Sequence, residues 1–329
     1  MPHIPQNPPS GGIITIDEGD RFKIAQAVYN AVTGKTEKLS RAYGKDYLIS
    51  LEDLQQLNHK CEQACSQWEV LQRNCNITLH QLDDNKEVFS SFERFKLYDT
   101  SKMSPCESIV YEFNILLRLP ETEKPQPYKI TVRVLSKIAM INRMEKEMGP
   151  PPFLRLFSSG HVVVEVEYVD YVVARNMLSM IDSWISQVEQ EPHYAWATFT
   201  QKFSHWFPPA AQFSIVLLFG VSLYHITPAA LAEGNSLALL AQWLILSGTA
   251  LFLAGVTARF LGRLAETGID RIIPISAIQL NKGDERLLKR FKKRNVLRII
   301  QAIAALILVV AQGVATTAVS DWLKVYLNK

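Results

Sequence analysis

The sequence has few cysteines, and its start lacks the features of a secretory signal. All four thiols precede the apolar last third of the chain; they are Cys61, Cys65, Cys75 and Cys106. The first 30 residues contain no basic start followed by an apolar run and a small-residue cleavage site. We therefore expect the first part of the chain to lie in a reducing cytosol, with the cysteines as small buried residues. A metal or redox role for Cys61 and Cys65 is the alternative.

Motifs for catalysis and cofactor binding are also missing. Neither G-x-G-x-x-G nor H-E-x-x-H occurs, and the seven histidines do not cluster with carboxylates at ligand spacing. The segment 34–36 (Gly-Lys-Thr) is similar to the end of a phosphate-binding loop, but Tyr29 stands where that loop needs a glycine. Glu165 and Glu167 alternate with valines, which is typical of a solvated strand face; a general acid–base pair is the alternative. These absences predict no cofactor, no metal and no enzymatic activity.

The most informative stretch that is present runs from Ser236 to Ala258 and carries no charged side chain. At a helical rise of about 1.5 Å per residue, it is long enough to cross a hydrocarbon core of about 30 Å. A soluble amphipathic helix of this length would show a polar stripe, and none is present. Arg259 and Arg263 follow at once, as expected where a helix leaves the bilayer. The stretch predicts a transmembrane helix, with a fully buried soluble helix as the alternative.

Two further apolar stretches complete a predicted membrane domain over residues 210–329. The first, Ala210 to Ala230, is weakened by Pro228 and several polar residues, so two crossings remain an alternative to three; the last runs from Ile299 to Ser320. Between the second and third crossings, residues 259–298 contain eleven Lys or Arg and four Asp or Glu. This excess places the segment, as a basic loop, in the cytoplasm. The expected arrangement is a multi-pass membrane protein with a cytoplasmic N-terminal domain and, with three crossings, an external C-terminus.

Residues 193–207 are predicted to form an interfacial amphipathic helix. Trp196, Phe199, Phe203 and Trp206 follow one another at steps of three, four and three, which gives a helix one aromatic face. Aromatic side chains favour the headgroup level of a bilayer. A soluble helix whose aromatic face packs on a protein core is the alternative.

The basic loop itself contains a second predicted interfacial element. Asp284 is expected to cap a helix that continues into the third crossing, with Leu287, Leu288 and Phe291 dipping into lipid. The cations expected to meet anionic lipid headgroups are Lys289, Arg290, Lys292, Lys293 and Arg294. A simple orientation signal is the alternative. Four isoleucines before this helix are expected to dock on the cytosolic domain or at the interface: Ile272, Ile273, Ile275 and Ile278.

The predicted crossings contain six small or neutral polar residues of interest. No acidic or basic residue lies near their mid-depth. This pattern argues against an ion-driven transporter. The residues are Gln242, Gly248, Gly255, Gln301, Gln312 and Gly313. They suit contacts between helices or between copies of the chain in a homo-oligomer, or the lining of a pore.

The preceding residues, 13–190, predict a cytosolic α+β domain with a mostly antiparallel sheet and helices on one face, after a flexible tail at 1–12. Asp20 is expected to cap a helix through Val32, and Ser50 with Asp53 to open a second helix that includes Trp68 and Leu71. Period-two alternation predicts strands at 111–119, 128–134 and 162–168, and helices are expected at 138–148 and after Asp170. Short strands are expected around Ile77 and from Phe92 to Tyr98. Ordinary alternation with water is the expected role of five basic residues, and a basic sheet face able to bind a nucleotide or nucleic acid is the alternative; the residues are Arg94, Lys96, Arg118, Lys129 and Arg133.

This layout, a soluble α+β module on a few crossings without a catalytic set, resembles membrane effectors of bacterial antiphage systems, such as the retron-associated transmembrane proteins. The resemblance implies a cytosolic domain that senses a protein or ribonucleoprotein regulator, and helices that perturb the membrane. A membrane anchor that recruits a cytosolic partner is the alternative. A lipid- or nucleotide-handling enzyme ranks third.

Overall fold

The computed structural model describes residues 36–120, 125–148, 161–191, 195–230 and 237–327. The tail and the first helix expected from the sequence lie outside these residues. Strands β1 to β7 are Glu37–Tyr43, Leu48–Ser50, Glu69–Gln81, Lys86–Phe89, Cys106–Arg118, Gln126–Leu135 and Val162–Tyr168, and β8 is Ala277–Gln279. Helices α1 to α5 are Leu51–Cys65, Phe92–Phe95, Lys137–Met148, Tyr171–Gln187 and Ala195–Phe203. Helices α6, α7 and α8 are Phe207–Ala230, Leu237–Asp270 and Lys282–Leu327.

A six-stranded antiparallel sheet in the order β1-β7-β6-β5-β3-β4 forms the centre of the soluble domain. Its strands alternate buried and partly exposed side chains, as in β7, where Val162, Val164 and Val166 are fully buried. The alternation directs one face of the sheet into the core and leaves the other face polar. The α+β fold expected from the sequence is confirmed.

Helices α1 and α4 contribute to the core on the apolar face of the sheet. Ser50 and Asp53 form the expected capping box at the start of α1, and Asp170 accepts hydrogen bonds from the first turn of α4. The indole of Trp184 on α4 is 2 % exposed and donates a 2.8 Å hydrogen bond to the carbonyl of Asp53. That bond joins the two helices while it satisfies the buried N–H group.

Three expectations for the soluble domain are wrong in detail. Phe92–Phe95 is a short helix because Ser91 caps it, and both phenylalanines are buried. Helix α1 ends at Cys65, so Trp68 packs on the core from the following turn, and Leu71 lies on β3 with 40 % of its surface exposed. The short strand expected around Ile77 is the end of the much longer β3.

The segment after α7 returns to the soluble domain. Strand β8 pairs in parallel with β2, and Ile278 and Leu280 enter the main core. A second small core joins α3 to the start of α8; its members are Leu48, Ile138, Ala139, Ile141, Ile273, Ile275, Ala277, Leu287, Leu288 and Phe291. The docking expected for Ile273, Ile275 and Ile278 is therefore confirmed, and its partner is the soluble domain, whereas Ile272 is buried outside both of these cores.

Three helical stretches are long and apolar enough to cross a membrane: Phe199–Thr227, Leu240–Asp270 and Lys282–Val319. Only 17 %, 11 % and 17 % of their most apolar windows is buried within the protein. So much exposed apolar surface is unfavourable in water and suits a lipid environment. The weak first crossing, left open by the sequence, is thus long and apolar enough to span. Pro208 lies in the first turn of α6, where a missing N–H costs no helical hydrogen bond.

Candidate membrane interface and its junction with the soluble domain

The aromatic face predicted at 193–207 is turned away from the protein. Trp196, Phe199, Phe203 and Trp206 are 48 %, 64 %, 50 % and 60 % exposed. The polar side of the segment faces α7: the Gln201 amide donates to two backbone carbonyls at the end of α7, and the nearby Ser204 hydroxyl donates to Asp270. Packing of the aromatic face on a soluble core is therefore wrong, and the arrangement suits aromatic insertion at the headgroup level.

Small residues allow the three long helices to approach closely. A Cβ at Gly255 would lie 2.9 Å from Cγ2 of Val216 on α6, and one at Gly313 would lie 3.3 Å from Cδ1 of Ile215. At Gly262 a Cβ would lie 2.7 Å from the Cα of Pro208, which is backbone and cannot move aside. These contacts bring α6 against both α7 and α8.

Two of the predicted amides also join helices. The Gln312 side chain on α8 donates 2.7 Å hydrogen bonds to the Ala254 carbonyl and to the Thr257 hydroxyl on α7. Gln301 donates a 3.5 Å bond to the carbonyl of Leu264 and accepts a 3.0 Å bond from Arg298. Gln312 and Gln301 therefore lie between α7 and α8, which gives them partners in an apolar surrounding.

Gln242 and Gly248 differ from the other predicted packing residues. Both lie on the exposed side of α7, and a Cβ at Gly248 would meet no atom within 4 Å. The structure therefore does not bring them together with Gly255 or Gln312. Contact with another copy stays a prediction for these two positions.

The expectation that the apolar face of the basic helix contacts lipid is wrong. Leu287, Leu288 and Phe291 are 6 %, 8 % and 0 % exposed because they pack in the second small core. An amphipathic helix can turn its apolar side to lipid or to protein, and here α3 and the segment after α7 cover it.

The five cations expected at the headgroups do not share one environment. Arg294 binds both oxygens of Glu145 on α3 at 2.8 and 2.9 Å and stacks on Phe291, while Lys292 forms an ion pair with Glu191. Arg290 donates to Asn142 at 3.4 Å. These three side chains contact the soluble domain. The other two, Lys289 and Lys293, are exposed, and Lys289 lies 3.6 Å from Glu285 one turn before it.

The first turn of α8 is locked into the soluble domain by a buried polar network. Asn281 and Asp284 form a capping box. The backbone N–H of Asp284 donates to the side-chain oxygen of Asn281, and the backbone N–H of Asn281 donates to the Asp284 carboxylate at 3.1 Å. The Asp284 carboxylate also accepts from the backbone of Leu280 at 3.0 Å and of Cys106 on β5 at 2.6 Å. The Asn281 side chain donates to the Tyr98 hydroxyl at 2.9 Å. The N-cap of α8 is therefore Asn281, and Asp284, expected from the sequence to be the N-cap, is the N3 residue of the box.

A second buried polar group lies near the start of α3. The Lys137 ammonium is 3.8 Å from Asp46, and both side chains are largely buried. His161 precedes β7 and is 3 % exposed, and its Nε2 atom has no hydrogen-bond partner within the described part of the chain. Burial, with added repulsion from Lys137, lowers the pKa of His161 below its usual value. The neutral imidazole is therefore favoured in the folded protein.

The polar face of the sheet is balanced in charge. Its cations meet carboxylates: Lys129 lies 2.6 Å from Glu112, and Arg133 lies 3.4 Å from Glu165. Lys38 bonds to Glu165 at 2.9 Å and lowers the pKa of that carboxyl, which does not suit a general acid. These paired cations fit ordinary alternation with water better than the alternative of a basic binding face. Arg94 and Lys96 lie on and beside α2, Lys96 pairs with Glu93, and Arg118 pairs with Glu69.

The four cysteines are buried and unpaired, as the sequence predicted for structural residues. Burial raises the pKa of Cys65 to about 11 and that of Cys75 to about 12, so their thiols stay protonated and unreactive at neutral pH. Among the described residues, no group of three or more His, Cys, Asp or Glu side chains is arranged to hold a metal ion.

Two grooves on the soluble domain are large enough to receive a partner's side chains. One, of about 480 Å³, runs between α1 and α4 past Lys60, Trp68, Met177 and Met180. The other, of about 570 Å³, lies at the end of the polar sheet face and is lined by Asn74, Asn114, Lys129 and Glu167 among others. Neither groove was anticipated, because each is lined by residues from elements far apart in the chain.

No family model, curated protein or solved structure matches the chain.

Proposed function

We propose that this protein is a membrane effector, in which the soluble domain controls the arrangement of three transmembrane helices and thereby the integrity of the membrane. The observation that carries the proposal is the junction at the start of α8. A passive anchor needs only a linker, whereas here Asp284 and Phe291 of a membrane helix are built into the soluble domain. A shift of the domain would be transmitted directly to α8, because one continuous helix runs from Lys282 to Leu327.

The proposed setting is the inner membrane of a bacterium, with the soluble domain in the cytoplasm. The Lys and Arg excess of 259–298 supports this orientation. The groove between α1 and α4 offers an apolar and polar surface for a cytosolic protein or ribonucleoprotein regulator. Antiphage defence is the biological role that the layout favours.

The test is expression of the full-length protein in bacterial cells carrying a voltage-sensitive dye. Release from a regulator is expected to lower the membrane potential and arrest growth, and overexpression without the regulator provides that state. Asp284→Ala is expected to abolish depolarisation while the protein still fractionates with membranes. Glu285→Ala, which removes a neighbouring exposed carboxylate, serves as the matched control and should keep the activity.

An unchanged membrane potential with the full-length protein abundant in the membrane would contradict the effector proposal and favour the anchor. Truncation after Gln190 is a poor substitute for these variants. It removes β8 together with Ile278 and Leu280, so it also takes part of the soluble core.

A further inference from the structure

Three arginines gather where α7 ends beside α8. The two helices approach at Gly268, where a Cβ would lie 3.0 Å from the carbonyl oxygen of Arg298. Arg271 follows Gly268 by three residues, and Arg294 precedes Arg298 by one helical turn. The close contact thus places Arg271, directly after α7, at the level of Arg298 on α8.

This cluster has more positive charge than its neighbours neutralise. Besides burial, the charged groups that act on Arg298 are Arg271 and Arg294, which repel it, and Glu145, which attracts it. Glu145 is already bound by Arg294 through both oxygens. Within the described part of the chain, Arg271 forms no ion pair, and the one hydrogen bond described for the Arg298 guanidinium goes to the neutral amide of Gln301.

Arg294 also keeps unused donors. Its Nη2 atom is buried and has no hydrogen-bond partner among the described residues. A buried donor without an acceptor is unfavourable, so an external acceptor here would be stabilising. An anion could supply that acceptor.

The position of the cluster indicates where that anion comes from. The apolar part of α8 begins at Ile299, directly after Arg298. The aromatic helix α5 lies at the same level, since Gln201 bonds to the carbonyls of Ile269 and Ile272 beside Arg271. Exposed aromatic residues and the start of an apolar helix both mark the headgroup layer of a bilayer.

We propose that Arg271, Arg294 and Arg298 form a binding site for the phosphate of an anionic phospholipid. The planar guanidinium fork matches phosphate oxygens, and basic pockets between transmembrane helices are suited to lipid headgroups. The site differs from Lys289 and Lys293, which are exposed on α8 away from the close contact at Gly268. The inference rests on the membrane placement of the helices and not on effector activity.

The test uses the full-length protein in detergent, titrated with phosphatidylglycerol, with phosphatidylcholine and with inorganic phosphate, and native mass spectrometry to count bound lipid. The variant is Arg271→Gln with Arg298→Gln. The matched control, Arg286→Gln with Lys289→Gln, removes the same charge from exposed positions on α8. Thermal unfolding of each protein checks that the fold is retained.

Phosphatidylglycerol is expected to bind the cluster variant about thirtyfold more weakly than the wild type. This factor corresponds to the loss of the attraction of two cations to an anionic headgroup. The control should keep the wild-type affinity, and phosphatidylcholine should bind weakly to all three proteins. Equal losses in variant and control would overturn the site in favour of general surface charge. Inorganic phosphate that binds as tightly as phosphatidylglycerol would overturn the lipid as its ligand. Because binding is measured without any membrane potential, failure of this proposal is distinct from failure of the effector function.

Discussion

Replacing Asp284 by alanine should release the start of α8 from the soluble domain. The carboxylate accepts three backbone N–H groups, from Cys106, Leu280 and Asn281, at 2.6, 3.0 and 3.1 Å. A buried N–H group left without an acceptor costs about 1–3 kcal/mol, so the variant should lose about 3 kcal/mol of local stability even at the lower end of that range. The variant no longer buries a carboxylate, and this reduces the loss of local stability. The lower end of the cost per N–H group is used for that reason.

Hydrogen exchange followed by mass spectrometry measures this opening directly. A loss of about 3 kcal/mol corresponds to about a hundredfold faster exchange of the amides around Leu280 and Asn281. The amides in the middle of α7 should not change, because they belong to a separate part of the structure. Glu285→Ala is the control, since its side chain is 62 % exposed and pairs only with Lys289 among the ion pairs of the described residues.

Exchange at Leu280 and Asn281 that is the same in Asp284→Ala and Glu285→Ala would refute the reasoning. It would mean that the polar network contributes nothing to holding α8. The proposed transmission from soluble domain to membrane would then lose its physical basis.

Three further outcomes follow from the packing and the buried charges. Gly262→Ala should separate α6 from α7 and lower the Tm in detergent. Gly248→Ala should raise the Tm, because alanine favours a helix over glycine by about 1 kcal/mol and the added Cβ meets no atom. Equal effects of the two substitutions on Tm would contradict the close contact at Gly262. Phe291→Ala should cost about 3–5 kcal/mol of unfolding free energy in the junction, because the side chain is fully buried. The exposed Val296→Ala should cost about 0.5 kcal/mol or less. Similar denaturation midpoints for the two variants would show that Phe291 is not in a core. Because the pKa of His161 is lowered in the folded state, the unfolded chain takes up its proton first as pH falls below about 6.5, so His161 contributes a drop in Tm through that range. His161→Asn should flatten this part of the Tm–pH curve, and an unchanged slope would contradict the assignment.

Much of the soluble fold was predictable because its signals are local. The Ser50 and Asp53 capping box and the alternating valines of β7 depend on neighbours within a few residues. The segment Phe92–Phe95 was misread as a strand because a short apolar run does not distinguish strand from helix, and only the cap at Ser91 favours the helix.

The membrane junction was less predictable because it depends on distant partners. The apolar face of Leu287 and Phe291 has the same pattern whether it meets lipid or protein, and only the position of α3 decides between them. The arginine cluster was missed for a similar reason, since α7 continues well beyond Arg259 and ends at Asp270, directly before Arg271. Gly268 was the available signal, because a small residue on a helix allows another helix to approach.

The central claim, that α7 crosses a bilayer and returns the chain to the side of the soluble domain, is tested most directly by cysteine accessibility. Single cysteines replace Leu237 and Arg286, which are exposed near the far end of α7 and on the first turns of α8. The four native cysteines are buried and should not react. In intact spheroplasts a membrane-impermeant maleimide should label position 237 alone, and position 286 should react only after permeabilisation. Labelling of both positions to the same extent before permeabilisation would contradict the crossing.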